Sequence, residues 1–424
     1  MFGFFASQEK KMRDNAGNWL ELAEKVYHYR RDRLTDSEIG ELQGRSGELR
    51  GLVKERAGAE KLKLSIERLE EVLRRTGGAI YPKSALVENV EFFLVAAIVI
   101  LGIRTYFVQP FKIPTNSMWP TYNGMTPEAF VKPADEPSPV ARVARLLAFG
   151  ADAKRVDAPA DGEVMLPLEA NGDRVKFEVV PGRTWLVFPT KLKEYRLIVG
   201  NAETSVRVPM DFDFEWAVRD AFFPNLKQRT TGSADLRRLI MAQPDRITDG
   251  SSPLLRTGKH VKRGERVLSF DIITGDQLFV DRMSYHFVRP SVGSGFVFRT
   301  GNIPGIGMDQ YYIKRLVGTP GDVLEIREPV LYRNGQPITG AKAFSYNASR
   351  EERYSGYFNS PPYVRGYLNP GEKLTIPPGK FFAMGDNSGN SQDSRYWGFV
   401  PGKDVVGRPL FVYYPFTKHW GPAQ

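Results

Sequence analysis

The sequence predicts a mainly β domain carrying a β-rich insertion, preceded by a helical N-terminal region and one membrane-spanning helix. Three observations predict it. Residues 1 to about 80 space their apolar side chains three and four apart, residues 86 to 108 form a strongly apolar run, and beyond residue 120 short β-branched and aromatic runs are punctuated by turn signals. No helices alternate with those runs in the manner of a parallel sheet.

In the N-terminal region, "NWLELAEKVYHYRRDRL" and "GELRGLVKERAGAEKLKLSIERLEEVLRR" gather Leu49, Leu52, Val53, Ile66, Leu69, Val72 and Leu73 on one side, with charges on the others. This predicts a helical hairpin or short coiled coil, ended by Gly77-Gly78 and Pro82. The next stretch, "VENVEFFLVAAIVILGIRTYFVQPF", is uninterrupted only from Phe92 to Ile103. From Leu86 to Val108 it is long enough to cross a bilayer, with Glu88 and Glu91 at one interface and Arg104 snorkelling toward the other. A buried core helix is the other reading of the same run. It lies too far from residue 1 for an ordinary cleaved signal peptide. Arg74, Arg75 and Lys83 precede it, so the positive-inside rule puts residues 1 to 85 in the cytoplasm and everything later on the outer side, a single pass.

Beyond the span, "GDQLFVDRM", "YYIKRLVG", "DVLEIRE" and "VVGRPLFVYY" read as strands, and Asn334-Gly335 as a hairpin turn. Residues 109–123 and 266–424 make one β domain. Residues 124–265 make an inserted β-rich module. Within it "TPEAFVKPADEPSP" reads as a linker, "WAVRDAFFPNLKQR" as a helix, and "ADGEVMLPL", "DRVKFEVV", "TWLVFP", "YRLIVG" and "SVRVPM" as strands.

Composition narrows the chemistry. There is no cysteine, which excludes disulfides, thiolate metal sites and cysteine nucleophiles. The four histidines, His28, His260, His286 and His419, are scattered and no HExxH occurs, so neither a metal nor another cofactor is expected. The net charge of +10 fits an anionic membrane surface or a basic proteome; no zinc finger, RNA-binding signature or basic stripe interleaved with aromatics points to nucleic acid.

One hydroxyl stands out. In "IPTNSMWPTY", Ser117 sits between Pro114 and Pro120, shortly after the span. The prolines restrict the chain around it, which favours a fixed geometry for attack. A serine needs a base to become a nucleophile. No histidine lies near a motif-like stretch, and the G-x-S-x-G elbow is missing around Ser117. The best remaining base is Lys314 in "QYYIKRLVG", where Tyr312, Ile313, Leu316 and Val317 would desolvate an amine and lower its pKa. Taken singly, each has a plain alternative: Ser117 as a turn residue, Lys314 as an exposed strand residue.

Together, "FVQPFKIPTNSMWPT", "GDQLFVDR", "YYIKRLVGTPGD" and "GDNSGNSQDSRYWGFVP" resemble the successive motifs of the bacterial type I signal peptidases, membrane-bound leader peptidases with a Ser–Lys dyad. The likeness covers residues 86–121 and 275–416. It implies a signal-peptidase-like β fold, with Ser117 as nucleophile and Lys314 as general base. It further implies Ser391 as the residue orienting the lysine, and Thr115 with the Ser117 backbone N–H as the oxyanion hole. Asp393 and Arg395 would brace the site, and Ile113, Pro114 and Ile313 would line pockets for small side chains. The partners implied are secretory preproteins and membrane lipid, at a bacterial inner membrane with the catalytic domain outside. What the insertion touches stays open. The chain departs from the family in "VGSGFVFR", where Ser294 replaces an expected aspartate, and in the insertion itself. Two rivals stand beside this reading: a self-cleaving LexA-like relative, and a membrane-anchored binding protein without catalysis.

Overall fold

The computed structural model describes residues 8–184, 188–226, 233–242, 247–248, 253–360 and 366–423. The chain divides into two compact units, Met1–Leu101 and Gly102–Gln424.

The first unit holds three packed helices where the periodicity predicts a hairpin: α1 (Gln8–Arg30), α2 (Asp36–Lys54) and α3 (Ala59–Thr76). Thr35 is the reason for the extra break. Its hydroxyl accepts from the Glu38 backbone N–H while the Glu38 carboxylate accepts from the Thr35 N–H, a capping box that starts a new helix. Ala16, Val26, Leu42, Leu49, Leu69 and Leu73 share one core. α4 (Ala85–Tyr106) follows; it has no buried residue, and by length and composition it is a candidate membrane span. It stops before Val108, which was expected inside the span and instead opens strand β1 (Val108–Lys112). Pro110 explains this: it lacks an N–H and pushes Gln109 toward extended backbone.

The second unit is built on an antiparallel eight-stranded sheet among the described residues. β1 forms one edge, followed by Gln277–Asp281, Val405–Tyr414, Gly295–Arg299, Tyr311–Gly318, Lys380–Met384 and Val400–Pro401, with Gly421–Pro422 beside the long strand. A smaller sheet turns through Asn334 (φ 54°) and Gly335 (φ 80°), both left-handed as an Asn-Gly hairpin turn requires.

The inserted stretch carries a six-stranded sheet. It includes Gly162–Pro167, Phe177–Thr184, Phe188–Val199 and Ala202–Pro209. Of the "TWLVFP" run, residues 185–187 lie outside the described residues, as do 227–229 at the end of the expected helix. That helix spans Phe214–Phe222 and stops before Pro224. The expected linker is partly wrong: Thr126–Ala129 is a strand, paired with Arg266–Ile273, which also pairs with Asp152–Asp157. Val267, Leu268, Phe270 and Ile272 then pack into the insertion's core, so the Arg266–Ile273 strand belongs to the insertion's architecture and the main sheet resumes at Gln277. Two helices of the insertion were not expected: Ser233–Ala242, and α5 (Pro139–Phe149), which is capped by the Ser138 hydroxyl.

Candidate active site

The sheet curls so that its edge strand β1 approaches Tyr311–Gly318; the rings of Phe111 and Tyr311 are 5.0 Å apart. β1 pairs on one side only. Tyr311–Lys314 pairs with Gly295–Arg299, while on its other side pairing with Lys380–Met384 begins only at Arg315. Two strand edges therefore flank a cleft, an arrangement that accepts an extended peptide by backbone hydrogen bonding.

Ser117 lies in a 3-10 turn, Asn116–Met118, at the end of this cleft. Its backbone is held from several sides. Asn116 donates to Met125 O at 2.8 Å and accepts from Gly124 N at 2.9 Å. Asn387 donates from its side chain to Asn116 O at 2.9 Å and from its backbone to Ser117 O at 3.1 Å. Met118, fully buried, anchors the turn in the core. Gly385 makes room: a Cβ there would stand 2.4 Å from Ser117 O and 2.2 Å from Ser391 Oγ.

Lys314 reaches this turn from its strand, where it faces Phe296 in register. Its amine is hydrogen-bonded to Ser117 Oγ at 2.5 Å, and the residue is only 4% exposed. Burial lowers its pKa to about 8; Asp393 and Asp386 pull it back upward, and Arg395 lowers it further. A substantial neutral fraction is therefore present at mildly alkaline pH. A neutral amine in contact with a hydroxyl can take its proton.

The other expected residues surround this pair. Thr115 is exposed to the cleft, and its hydroxyl makes no capping bond to the turn, leaving it available to a ligand. Ser391 is buried on the cleft wall, but its hydroxyl has no partner among the described residues, so the bond to the lysine implied by the resemblance is not made in this state. Asp393 and Arg395 form a fully buried ion pair at 2.8 Å. Burial alone would raise the Asp393 carboxyl; Arg395 and a hydrogen bond from Gly385 N, at 3.0 Å, hold it below the usual range. Arg395 also donates to Phe358 O at 2.8 Å and Ser388 O at 2.7 Å, tying the loop together. Ile113, Pro114 and Ile313 all line the cleft.

Sequence reasoning missed a second buried pair. Arg315 donates to both carboxylate oxygens of Asp386, at 2.7 and 2.6 Å, and to Gly293 O at 2.7 Å. Thr121 donates to Asp386 at 2.5 Å. Alternation puts Arg315 on the face opposite Lys314, and because the fold covers that face too, the buried guanidinium requires a carboxylate there. The turn at Ser294 forms without the expected aspartate: Gly293 takes φ 95°, Leu316 N donates to Ser294 O at 3.0 Å, and the hydroxyls of Ser291 and Ser294 bond at 3.0 Å.

The cleft opens into a cavity of about 1110 Å³, whose opposite wall is supplied by the insertion through Val175, Phe177, Lys193, Tyr195 and Asp211. Among the described residues no group of three or more His, Asp or Glu is placed to hold a metal ion.

Residues 266–414 match the family model described as signal peptidase, peptidase S26. A probable signal peptidase I-1 of Synechocystis sp. is 36% identical over 150 residues, 35% of this chain and 66% of that protein. The signal peptidase I of Bacillus licheniformis is 34% identical over 148 residues, 34% of this chain and 70% of that protein. A crystal structure of a signal peptidase I from Enterococcus faecalis V583 shares 31% identity and covers 28% of this chain and 97% of that one, with a TM-score of 0.22, too low to carry an argument about shape. The chain spans 57 to 66% of the length of the first three curated relatives it matches.

Proposed function

Because this chain belongs to the S26 signal peptidase family, we propose that it is a membrane-anchored serine endopeptidase that removes signal peptides from exported preproteins after small, A-x-A-type residues. The observation that carries the reading is the 2.5 Å contact between Ser117 and Lys314. The family model begins at residue 266, so the support for Ser117 is geometric: the chain runs through the whole insertion and still returns Lys314 to its hydroxyl.

The substrate's extended segment lies between β1 and Tyr311–Lys314, with small side chains against Ile113, Pro114 and Ile313. Lys314 takes the Ser117 proton as Oγ attacks the scissile carbonyl. The backbone N–H of Ser117 and the Thr115 hydroxyl stabilise the oxyanion. Lys314 then protonates the leaving amine of the mature chain, and, again as base, activates the water that hydrolyses the acyl-enzyme. α4 serves as the anchor, with residues 1–85 cytoplasmic and the catalytic domain on the outer side of a bacterial inner membrane. Only ten residues separate Tyr106 from Ser117, which keeps the nucleophile near the bilayer, where signal peptides end.

The test is cleavage of a model preprotein by the purified chain in detergent, with the cut located by mass spectrometry. Cleavage after the A-x-A site that disappears in Ser117→Ala and in Lys314→Ala supports the reading. A folded wild-type chain that leaves several preproteins intact overturns it in favour of a binding protein on the same fold.

A further inference from the structure

The inserted helix α5 is inside out. A surface helix normally buries its apolar stripe and exposes its charges. In "PVARVARLLAF" the reverse holds. Val140, Val143, Leu146 and Leu147 are 81, 58, 54 and 71% exposed. Its arginines turn inward instead: Arg145 pairs with Asp271 at 2.7 Å and Glu128 at 2.5 Å, and Arg142 with Glu136 at 3.2 Å. The ion pairs fix the helix by its polar side, so the apolar face cannot rotate inward.

That face is continued by the C-terminal segment. Phe416 N donates to Ala148 O at 3.0 Å, the Tyr414 hydroxyl donates to Leu146 O and Leu147 O at 3.2 Å, and Phe416 and Trp420 are more than half exposed. From Trp420 the apolar strip passes to Phe411, at 5.3 Å between ring centroids, then across the sheet to Phe279 and Pro110 in register. Pro110 stands four residues after α4, so a chain path of no more than about 14 Å joins the strip to the helix.

We propose that α5 is a second, insertion-borne membrane contact that lies in the bilayer interface with Val140, Val143, Leu146 and Leu147 immersed among the acyl chains. This rests on the anchoring part of the reading above. Three features favour lipid over a protein partner. The exposed face of α5 itself carries no charge or polar side chain to specify a partner, Trp and Tyr adjoin it as they do at membrane interfaces, with the exposed Lys418 beside them, and the chain's own span is covalently close. α5 would then hold the insertion, and with it one wall of the cleft, at a fixed height above the membrane.

The absence of native cysteine allows a direct test in the full chain. Single variants Val143→Cys and Leu147→Cys, with Ile98→Cys in α4 and Gln336→Cys on the Asn334-Gly335 hairpin as controls, are labelled with an environment-sensitive fluorophore and reconstituted into phosphatidylethanolamine–phosphatidylglycerol vesicles. The proposal expects brominated acyl chains to quench positions 143 and 147 at least twofold and position 336 not at all. If 98 is quenched by lipid while 143 and 147 respond only to aqueous iodide, α5 is solvated and the proposal falls while the anchor stands. Protection of 143 and 147 from both quenchers means a protein or a second copy covers the helix, which also overturns it. Failure of lipid to quench 98 counts against the anchor itself, separately from α5.

Discussion

Lys314 carries opposing demands on one side chain. Burying an amine disfavours its charge, and that same penalty supplies a neutral base. The ordinary lysine pKa of 10.5 falls to about 8 in the folded chain. Between pH 10.5 and 8 the unfolded chain therefore binds the proton while the folded chain does not, so this residue's contribution to stability falls as pH is lowered through that window and stays low beneath it. Lys314→Met removes the penalty. It should abolish cleavage yet raise stability at pH 7, on the order of 1 to 3 kcal/mol, measured by urea unfolding. A variant less stable than wild type would show that the amine is better satisfied than its burial suggests. Thr115 offers a contrast, because its hydroxyl is exposed and uncommitted to the turn. Thr115→Val should lower kcat by about 10²- to 10³-fold with an unchanged melting temperature, and Thr115→Ser should restore most of it. Equal activity in the Val variant would remove Thr115 from the oxyanion hole.

At the level of elements, the loop from Gly385 to Arg395 holds the turn that carries Ser117. Asp386 and Asp393 each neutralise a buried arginine, and Asn387 grips the Ser117 turn. Asp386→Ala leaves Arg315 charged and unpaired in the core, and should cost about 3–5 kcal/mol in denaturant melts. Gly385→Ala should displace the Ser117 turn and abolish activity at a smaller cost in stability, since its Cβ would collide with Ser117 O and Ser391 Oγ. The strands Tyr311–Gly318 and Val405–Tyr414 were legible in full, because β-branched and aromatic residues run through them and turn residues bound them. Thr126–Ala129 was not legible: its pairing partner lies far along the chain, and its Pro127 reads as a loop. α5 escaped for a different reason: Ser138, Pro139 and the three- and four-residue apolar spacing mark a helix, but the expected linker ran over its start. Arg315 and Asp386 were hidden because an arginine in a strand ordinarily reads as exposed, and only the fold shows that both faces of this strand are covered. The Ser391 hydroxyl marks the limit of the resemblance, which names the residue but not its unpartnered state.

For the whole molecule, the three N-terminal helices have a core of their own, drawn entirely from residues 12 to 81, while the second unit holds the sheet, the cleft and the insertion. Thermal unfolding in detergent should therefore not be two-state. Helical ellipticity and peptidase activity should be lost at separate temperatures, and coincident transitions would show that the units are energetically coupled. The insertion is no appendage to the second unit, since it supplies one wall of the cavity into which Ser117 and Lys314 face. The central claim, that a buried lysine activates Ser117, is tested most directly by the pH dependence of kcat/KM for the intact chain on a peptide with an A-x-A site. The account predicts a rise with a single apparent pKa near 8 as Lys314 loses its proton, reaching a plateau above it. A profile flat from pH 6 to pH 9, from a wild-type enzyme that remains folded throughout, would contradict it.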